Sequence, residues 1–370
     1  MNPLLELAQH GQSVWLDSIR RSMITSGELQ RSIAEDGLRG MTSNPTIFEK
    51  AVSAGTDYDE QVREIVMHDP NISIIDLYER VVITDIQMAA NALRPVYETS
   101  SGLDGYVSIE VSPPVAHDTE ATLAEVRHLW NAVDRPNILV KIPGTPEGLP
   151  AVETCLAEGI NINITLMFSR AHYEAVAEAY VRAVSRLGDP SRIASVASFF
   201  VSRVDTKVDT RLKEIGTPEA LGLLGKIAVA NAKLTYRRFQ EIFHGEHFAD
   251  LHRNGARVPR CLWASTSTKN PAYHDTMYVD NLIGPETVNT MPMETLTAFR
   301  DHGRAVPTLQ QGVEEAEADL QRLAALGINL LEVGEELQTE GLRLFGDSYE
   351  KLLAALDRKR VQILAGEETS

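Results

Sequence analysis

Short apolar runs recur along the chain, and most are followed by a longer stretch with the periodicity of an amphipathic helix. Runs with apolar residues on both alternating faces are typical of parallel strands that are covered on both sides. We therefore predict eight strands, of which the last has the weakest pattern. They are SVWLDS (from Ser13), GMTSNP (Gly40), GYVSIEV (Gly105), NILVKIP (Asn137), NINITLMF (Asn161), IASVASFF (Ile193), RCLWAST (Arg260) and MYVDNLIG (Met277).

Helical patterns fill the segments between these runs. TPEGLPAVETCLAEG has Thr145 as an N-cap, Pro146 at the first helical position and Gly159 as a stop signal, and SRAHYEAVAEAYVRAVSRLGD begins at Ser169. The connection between the second and third runs contains IIDLYERVVITDIQMAANALRPVY and is longer than one helix needs, so we expect extra helices there. After the eighth run, the pattern predicts only helices.

Eight strands that alternate with helices predict a (β/α)₈ TIM barrel, an α/β fold, with additional helices between strands 2 and 3 and a helical C-terminal tail. We expect residues 1–370 to form a single barrel domain, with residues 305–370 as helices packed on the barrel. A doubly wound sheet is the alternative. Against it, no G-x-G-x-x-G follows the first strand and no G-x-x-x-x-G-K-[ST] occurs.

A lysine lies inside the fourth predicted strand, where lysine is almost never fully buried unless it is paired or has a chemical role. Residues two apart on a strand share a face, so if Lys141 points into the barrel, Leu139 does too, whereas Val140 and Ile142 face the helices. A desolvated lysine amine that has lost its charge can attack a ketone and form a Schiff base.

Polar side chains also stand at or near the carboxyl ends of most other predicted strands. Because these ends meet at one mouth of a barrel, we expect the side chains to converge with Lys141. They are Asp17, Asn44, Glu110, Asn163, Thr165, Ser198 and Ser265. Schiff-base chemistry needs a carboxylate that shuttles protons, a second acid/base for the substrate hydroxyl, and neutral donors that hold a polyhydroxylated chain. The set contains each of these types.

Each candidate also has an ordinary structural role that the sequence leaves open. Lys141 could form an ion pair within a barrel layer, Asp17 could cap a helix, and Asn44, which precedes a proline, could begin a turn. Asn163 and Thr165 could satisfy buried backbone groups. What favours catalysis is their joint placement at the ends of different strands.

We expect no catalytic or metal-binding role for two further features of the sequence. HGEHFADLH contains His244, Glu246, His247 and His252, and its spacing is similar to that of metal ligands. It lacks the H-E-x-x-H helix pattern and lies in a connector, so we expect no metal site there. Cys155 falls on a predicted helix, where we expect a small core residue.

Composition narrows the class of protein. The formal net charge of −17 disfavours nucleic-acid and anionic membrane partners, so an anionic substrate needs positive charge concentrated in its site. The two cysteines are too few for a disulfide framework and favour a reducing cytosol. We expect a cytoplasmic protein, because no signal-peptide pattern opens the chain and no apolar run reaches membrane-spanning length. The sequence leaves monomer and homodimer open.

Taken together, the motifs resemble those of the transaldolase family over nearly the whole chain. They are VWLDSIRR, GMTSNPTIFEKAV, ILVKIPGTPEGLPAV, GININITLMFS, ASVASFFVSRVD and LWASTSTKNP. The chain length, SNPTIFEKA and LWASTSTKNP resemble the form found in actinobacteria and cyanobacteria. The resemblance implies a class I Schiff-base barrel of the non-oxidative pentose phosphate pathway that uses no metal and no cofactor. Such an enzyme moves a dihydroxyacetone unit from sedoheptulose 7-phosphate to glyceraldehyde 3-phosphate, giving erythrose 4-phosphate and fructose 6-phosphate.

Matched motif by motif, the resemblance implies a role for each candidate. Lys141 forms the Schiff base and Asp17 is the acid/base, while Glu110 works with Thr165 through a water. The residues implied to hold the dihydroxyacetone unit or the phosphate are Asn44, Asn163, Ser198, Arg203, Ser265 and Lys269. Lys269 departs from the family pattern, because better-known relatives have an arginine in this loop. Lysine binds phosphate as a point charge and arginine binds it bidentately, so we expect a different phosphate affinity.

Two other functions remain open. An aldolase on the same barrel would release free dihydroxyacetone through the same covalent adduct, so product analysis with and without an acceptor aldose separates it from a transaldolase. A non-catalytic sugar-phosphate-binding barrel would retain binding but form no adduct at Lys141 that borohydride can trap. A binder, however, has no need of Lys141, Glu110 and Asp17 together.

Overall fold

A computed structural model describes residues 2–53 and 55–365 of the chain, and it contains a closed barrel of parallel strands in sequence order. The strands are β1 Gln12–Leu16, β2 Gly40–Thr42, β3 Tyr106–Glu110, β4 Ile138–Pro143, β5 Ile162–Met167, β6 Ser195–Phe200, β7 Arg260–Ala264 and β8 Thr287–Met291. Pairing of β1 with β8 closes the barrel. The predicted (β/α)₈ class is confirmed, and the first seven strands lie within or beside the predicted runs.

Helices follow the strands and surround the barrel. Within the described residues they are α1 Pro3–Gln9, α2 Arg21–Thr25, α3 Glu28–Glu35, α4 Pro45–Ser53, α5 Asp59–His68, α6 Ile74–Thr99, α7 Thr119–Val133, α8 Gly148–Ala157, α9 Arg170–Val184, α10 Ser202–Ile215, α11 Pro218–Leu221, α12 Ile227–Phe243, α13 Glu246–Arg253, α14 Met277–Asp280, α15 Met293–His302, α16 Val313–Ala325 and α17 Leu330–Leu364. The helices α4, α5 and α6 occupy the long connection between β2 and β3, as predicted.

Local signals in the sequence explain where two of these helices begin. The side chain of Thr145 accepts a hydrogen bond from the Gly148 amide at the start of α8, and the side chain of Ser169 accepts one from the His172 amide at the start of α9. Gly159 follows α8 with a φ of 90°, a left-handed conformation that glycine adopts without strain. The predicted cap of α9 and the predicted stop signal are therefore present, whereas α8 begins at Gly148 with Glu147 as its N-cap residue, later than the predicted start at Pro146.

The prediction for the eighth strand is wrong. MYVDNLIG contains the short helix α14, and the strand that closes the barrel is TVNTM, further along the chain. All five residues of TVNTM are buried, but only Val288 and Met291 are apolar. Its threonines are paired inside the fold: Thr287 accepts a hydrogen bond from Gln12 Nε2 at 3.0 Å and donates to the Gly284 carbonyl at 2.6 Å. This strand carries too little apolar pattern to be recognised from sequence.

The amino-terminal end of the barrel is filled by a buried ion pair. Arg260 Nη2 lies 2.8 Å from Asp104 Oδ1, and the side chains of Ser13 and Trp15 also donate to Asp104. At Gly40, a Cβ would lie 2.5 Å from the indole of Trp15, so only glycine fits there. The partners saturate the charges of this pair, which lies at the opposite end of the barrel from Lys141.

Strand β5 is irregular immediately after Thr165. Its pairing with β6 shifts register between Ile164 and Met167, and Leu166 has a φ of 60°, which is strained for a branched side chain. The Leu166 carbonyl accepts a hydrogen bond from Gln338 Nε2 of α17 at 3.0 Å. Irregularities of this kind recur beside active sites, where they redirect a side chain.

The last two helices pack against the barrel and its surrounding helices. Helix α16 packs on α12, and α17 runs across the carboxyl-terminal end of the barrel from α10 to α4 and α5. Lys207 and Arg211 of α10 form ion pairs with Glu336 of α17, at 2.8 and 2.6 Å. Residues 366–370 of the predicted tail lie outside the described residues.

Two general features complete the fold. No helix among the described residues combines the length and the apolar character that crossing a membrane requires. Cys155 of α8 and Cys261 of β7 are both free thiols and both buried, so the predicted core position of Cys155 is confirmed. Burial raises the pKa of each thiol to about 12, which makes both poor nucleophiles.

Candidate active site

A cavity of about 510 Å³ opens at the carboxyl-terminal end of the barrel strands, where catalytic groups collect in this fold. Eight of the ten candidate residues line it: Asp17, Asn44, Lys141, Thr165, Ser198, Arg203, Ser265 and Lys269. The other two, Glu110 and Asn163, lie behind the wall and form hydrogen bonds with lining residues. The fold therefore brings all ten candidates to one end of the barrel.

Lys141 is held at the floor of this cavity. Its side chain is buried, and Nζ donates hydrogen bonds to Glu110 Oε2 at 3.0 Å and to the Ser43 carbonyl at 3.1 Å. The register of the sheet explains these contacts, because Glu110 of β3 pairs with Lys141 of β4 and Lys141 pairs with Asn163 of β5. Two fixed acceptors leave the nitrogen in one position facing the cavity.

The carboxyl group of Glu110 is almost fully enclosed, with 7% of the residue exposed. Burial raises its pKa, and the charge of Asp17 adds to the rise, while the charge and hydrogen bond of Lys141 oppose it without cancelling it. A carboxyl whose pKa is raised accepts a proton more readily than an ordinary glutamate, and it can then return that proton. Glu110 is therefore suited to exchange protons with Lys141.

Asp17 follows β1 and faces the same cavity. Its Oδ1 accepts a hydrogen bond from the Thr42 hydroxyl at 2.6 Å, and Thr42 contacts the Thr290 hydroxyl at 2.7 Å. Burial raises the pKa of Asp17, and the Thr42 hydrogen bond and the charge of Lys141 lower it by less. The alternative role as a helix cap is not observed, because α2 begins after Arg20 without a side-chain cap.

Neutral polar groups form another part of the wall. Asn163 Nδ2 donates to Ser108 Oγ at 3.0 Å, and Asn163 Oδ1 accepts from Ser198 Oγ at 2.7 Å. The hydroxyl of Thr165 is buried, lines the cavity and has no hydrogen-bond partner among the described residues. An unpaired buried hydroxyl is costly, so Thr165 is ready to bind a water or a substrate hydroxyl.

Asn44 takes part in a turn and also lines the cavity. Asn44 Oδ1 accepts a hydrogen bond from the Ile47 amide at 3.0 Å, in the first turn of α4. The turn-forming role that the sequence left open is therefore present. Because Asn44 also lines the cavity, its side-chain Nδ2 can still serve as a donor to a bound molecule.

Positive charge is concentrated along the rim of the cavity. The Arg203 guanidinium lies 5.4 Å from the centre of the Phe200 ring, and no hydrogen bond or ion pair of its side chain occurs among residues 2–53 and 55–365. Lys269 Nζ donates to Ser267 Oγ at 2.7 Å. The Ser265 hydroxyl contacts Ser202 Oγ at 2.9 Å. This rim supplies the local positive charge that an anionic substrate requires.

Sequence reasoning missed several residues of the cavity. They are Arg20, Thr42, Lys50, Thr290, Glu294 and Phe345. Lys50 is the next-to-last residue of the SNPTIFEKA motif, which could have drawn attention to it. Glu294 follows the strand that the hydrophobic pattern placed wrongly, and nothing in the sequence of α17 indicates that Phe345 reaches the site.

A buried lysine amine lies beside two carboxyls at the carboxyl-terminal mouth of a parallel barrel with a cationic rim. This is the arrangement that a barrel enzyme of the Schiff-base class needs for phosphorylated substrates. The chain matches the family described as Transaldolase/Fructose-6-phosphate aldolase over residues 14–356. It belongs to this family. The resemblance predicted from the motifs is therefore confirmed.

Relatives cover the chain almost from end to end. Transaldolase of Thiobacillus denitrificans is 48% identical over 360 residues, which are 96% of this chain and 100% of the relative. Transaldolase of Thermobifida fusca is 46% identical over 369 residues, 98% of this chain and 99% of the relative. Transaldolase 2 of Nostoc sp. is 43% identical over 374 residues, 97% of this chain and 98% of the relative. These similarities support a transferase of the transaldolase type.

Proposed function

We propose that this chain transfers a dihydroxyacetone unit from sedoheptulose 7-phosphate to glyceraldehyde 3-phosphate through a Schiff base on Lys141. Erythrose 4-phosphate and fructose 6-phosphate are the products, as in the non-oxidative pentose phosphate pathway. The observation that carries the proposal is the 3.0 Å contact between Lys141 Nζ and Glu110 at the floor of a cavity that Asp17 also lines. These are the three groups that the chemistry requires.

The first step is imine formation. Lys141 transfers a proton to Glu110, and the neutral amine attacks the C2 carbonyl of the ketose phosphate. The raised pKa of Glu110 favours this transfer. The resulting carbinolamine loses its hydroxyl as water when Glu110 returns the proton, through a water that the free hydroxyl of Thr165 holds.

The second step breaks a carbon–carbon bond. Asp17 accepts the proton of the C4 hydroxyl while the C3–C4 bond breaks, and the bonding electrons move into the iminium to give an enamine. An aspartate with a raised pKa is a better base for an alcohol near neutral pH than an ordinary aspartate. The aldose phosphate leaves, an acceptor aldehyde enters, and the steps run in reverse.

The three-carbon enamine must remain bound while the aldehydes exchange. Asn44 offers its side-chain amide group, and Ser198, whose proton is donated to Asn163, offers oxygen lone pairs to a substrate hydroxyl. Arg203, Ser265 and Lys269 bind the phosphate at the rim. Lys50 lines the same cavity, and we add it as a further cation for the phosphate.

We further propose the setting in which the enzyme works. Residues 1–370 act as one catalytic domain, in which α16 and α17 of the segment 305–370 pack on the barrel. The protein acts on small sugar phosphates in the cytoplasm and binds neither nucleic acid nor membrane, in keeping with its net charge of −17. Side chains of the chain itself carry every step of the reaction above.

The decisive experiment is reduction with borohydride in the presence of fructose 6-phosphate, followed by peptide mass mapping. We expect one reduced adduct per chain, on Lys141, and none in Lys141→Ala. Lys233 is the internal control, because it is also buried but donates to the carbonyls of Thr308 and Gln311 far from the cavity. An adduct on Lys233 or on any other lysine would contradict the proposed site.

The description of the matching family names a second activity, fructose-6-phosphate aldolase, and this is the alternative function. Both activities form the same adduct on Lys141. Product analysis separates them: a transaldolase produces sedoheptulose 7-phosphate from fructose 6-phosphate only when erythrose 4-phosphate is added, whereas an aldolase releases free dihydroxyacetone without any acceptor.

A further inference from the structure

Two histidines and an aspartate meet on the surface where the connection between β7 and β8 reaches the end of α15. His274 and Asp275 lie in the connection between β7 and β8, and His302 is the last residue of α15. His302 Nε2 lies 2.9 Å from Asp275 Oδ1, and His274 Nδ1 lies 3.5 Å from the same oxygen. One donor atom from each residue lies within 4.8 Å of the other two.

These distances are comparable with the edges of a metal coordination shell. With bonds of about 2.0–2.1 Å to zinc, neighbouring ligands of a tetrahedral ion are roughly 3.3 Å apart. The observed contacts of 2.9 and 3.5 Å bracket that separation, so small side-chain rotations would place the three donors around one ion. All three side chains are exposed, which leaves room for water to complete the coordination.

A second observation concerns the other nitrogen of His302. His302 Nδ1 lies 3.0 Å from Asp301 Oδ2, on the side of the ring away from Asp275. Histidines that bind metals usually donate their second N–H to a carboxylate, which fixes the tautomer and orients the ring. The Asp301–His302 pair has this arrangement, with Nε2 left to face the other two donors.

The nitrogen of His274 can also be released to an ion. The Thr276 hydroxyl lies 2.9 Å from His274 Nδ1, but it also reaches Asp280 Oδ2 at 2.6 Å. When His274 Nδ1 binds an ion, Thr276 keeps a charged acceptor for its proton. The backbone amide of Thr276, which donates to His274 Nδ1 at 3.4 Å, gives up this long contact when the site fills.

We propose that His274, Asp275 and His302 bind one divalent transition-metal ion of the zinc class, with Asp301 as the positioning residue of His302. Two imidazoles and one carboxylate suit Zn²⁺, which accepts a wide range of angles. The site is separate from the sugar-phosphate cavity and takes no part in the transfer chemistry.

The position of the site gives it a structural consequence. The connection between β7 and β8 also carries Ser265, Ser267 and Lys269 of the cavity rim, and α15 carries Glu294 of the same cavity. A metal ion bound by both segments adds a cross-link beside the hydrogen bond from the Arg304 amide to Asp280, which already joins the chain after α15 to this connection. Metal binding therefore stabilises the fold where the end of α15 meets the connection between β7 and β8.

Titration of the untagged, metal-free chain with Zn²⁺ in a calorimeter tests the proposal, with Co²⁺ absorption as a second reading of the ligand set. We expect saturation at one ion per chain and loss of binding in His274→Ala and His302→Ala. Asp301→Asn retains the site but weakens it by about 10–100-fold, because it removes the carboxylate behind His302. His247→Ala is the control, since it removes an exposed histidine of the HGEHFADLH segment.

The same contacts would suit a protonated His302 between two carboxylates, and His302→Arg separates these explanations. Arginine keeps a cation between Asp275 and Asp301 but provides no metal ligand. We expect Zn²⁺ to raise the melting temperature of the parent chain and of His247→Ala, and not that of His302→Arg. Absence of saturable binding, an equal rise in His302→Arg, or loss of binding in His247→Ala would overturn the proposal.

Discussion

Two carboxyls with raised pKa values face one lysine, and they differ in what holds them. Glu110 is paired with the lysine itself, whereas Asp17 is held by the hydroxyl of Thr42. The proposed mechanism follows this difference, with proton exchange at nitrogen given to Glu110 and proton exchange at the substrate hydroxyl given to Asp17. Each assignment makes its own prediction.

We expect Glu110→Gln to lower kcat by about 10²–10⁴-fold, the range for loss of a general acid/base, because glutamine keeps the shape but cannot exchange the proton. The single-turnover rate of the borohydride-trapped adduct measures this step directly. Glu125→Gln is the matched control: Glu125 is another carboxyl whose burial raises its pKa, but it accepts hydrogen bonds from Ser112. An unchanged trapping rate in Glu110→Gln would remove Glu110 from the mechanism.

The pH profile tests Asp17. The reaction needs Asp17 ionised, so activity rises as the pH increases through the pKa of Asp17. An ordinary aspartate has a pKa of about 3.9. Because burial raises the pKa of Asp17, we expect activity to rise at a higher pH than that. The Thr42 hydrogen bond lowers that pKa. In Thr42→Val, the pKa therefore increases further, and the acidic limb of kcat/KM moves to higher pH.

The control for this shift is Thr235→Val. Thr235 is also a buried threonine, but its hydroxyl donates to the Asn231 carbonyl within α12. We expect the acidic limb of kcat/KM in Thr235→Val to stay at the same pH as in the parent chain. A limb that moves to lower pH in Thr42→Val would contradict the assignment of Asp17 as the base.

Most of the chemistry could be predicted from single residues, and the exceptions have a physical cause. Lys141 lies within β4, Glu110 ends β3 and Asp17 directly follows β1, and in such positions alternation and barrel geometry fix the direction of a side chain. Lys50 and Glu294 lie on helices after the strands, and the sequence does not say which turn of a helix faces the mouth. Identifying them requires the packing of the whole barrel.

At the scale of secondary-structure elements, β8 shows why a hydrophobic pattern can miss a buried strand. β8 is buried through paired threonines and an asparagine rather than through apolar side chains. A hydrophobic pattern predicts strands that exclude water, and it cannot detect a strand whose polar groups find partners inside the protein. The first seven strands were predictable because their burial is apolar.

The long helix α17 offers a matched pair of glycines. At Gly341, a Cβ would lie 2.9 Å from Leu166 Cδ2, beside the strained segment of β5, whereas at Gly346 nothing lies within 4 Å. We expect Gly346→Ala to raise the free energy of unfolding by up to about 1 kcal/mol, since alanine favours helix. Denaturant unfolding measures this change.

We expect Gly341→Val and Gly346→Val to differ in their effects on stability and on the rate of Schiff-base trapping. The added methyl groups press on Leu166 and shift Thr165, so we expect lower stability and a slower trapping of the Schiff base. Gly346→Val costs only helix propensity and leaves the trapping rate unchanged. Equal trapping rates in the two variants would show that α17 does not control the geometry of β5.

At the scale of the whole molecule, the charges are distributed unevenly. The chain carries a net charge of −17, yet Arg20, Lys50, Arg203 and Lys269 all line one cavity. A cationic cleft in an anionic protein attracts anionic substrates and keeps them from the remaining surface. The attraction weakens as salt shortens the screening length.

This distribution predicts substrate affinity. We expect Arg203→Ala to raise KM for fructose 6-phosphate by roughly 10–100-fold, because a charge-assisted hydrogen bond contributes about 1.5–3 kcal/mol. Lys269→Arg lowers KM, since arginine binds phosphate with two parallel hydrogen bonds. The KM of unphosphorylated fructose is the control, and neither variant changes it. Equal effects on both sugars would place these residues away from the phosphate.

Phe345 reaches the cavity from the last helix, although every group that reacts lies before β8 ends. During synthesis on the ribosome, the barrel can therefore close before α17 covers its mouth. Until α17 docks, we expect Lys141 to be open to carbonyl compounds that enter from the mouth of the barrel. Docking of α17 ends this period of exposure. The rate of docking therefore limits how many chains react with other carbonyl compounds at Lys141 before their first catalytic cycle.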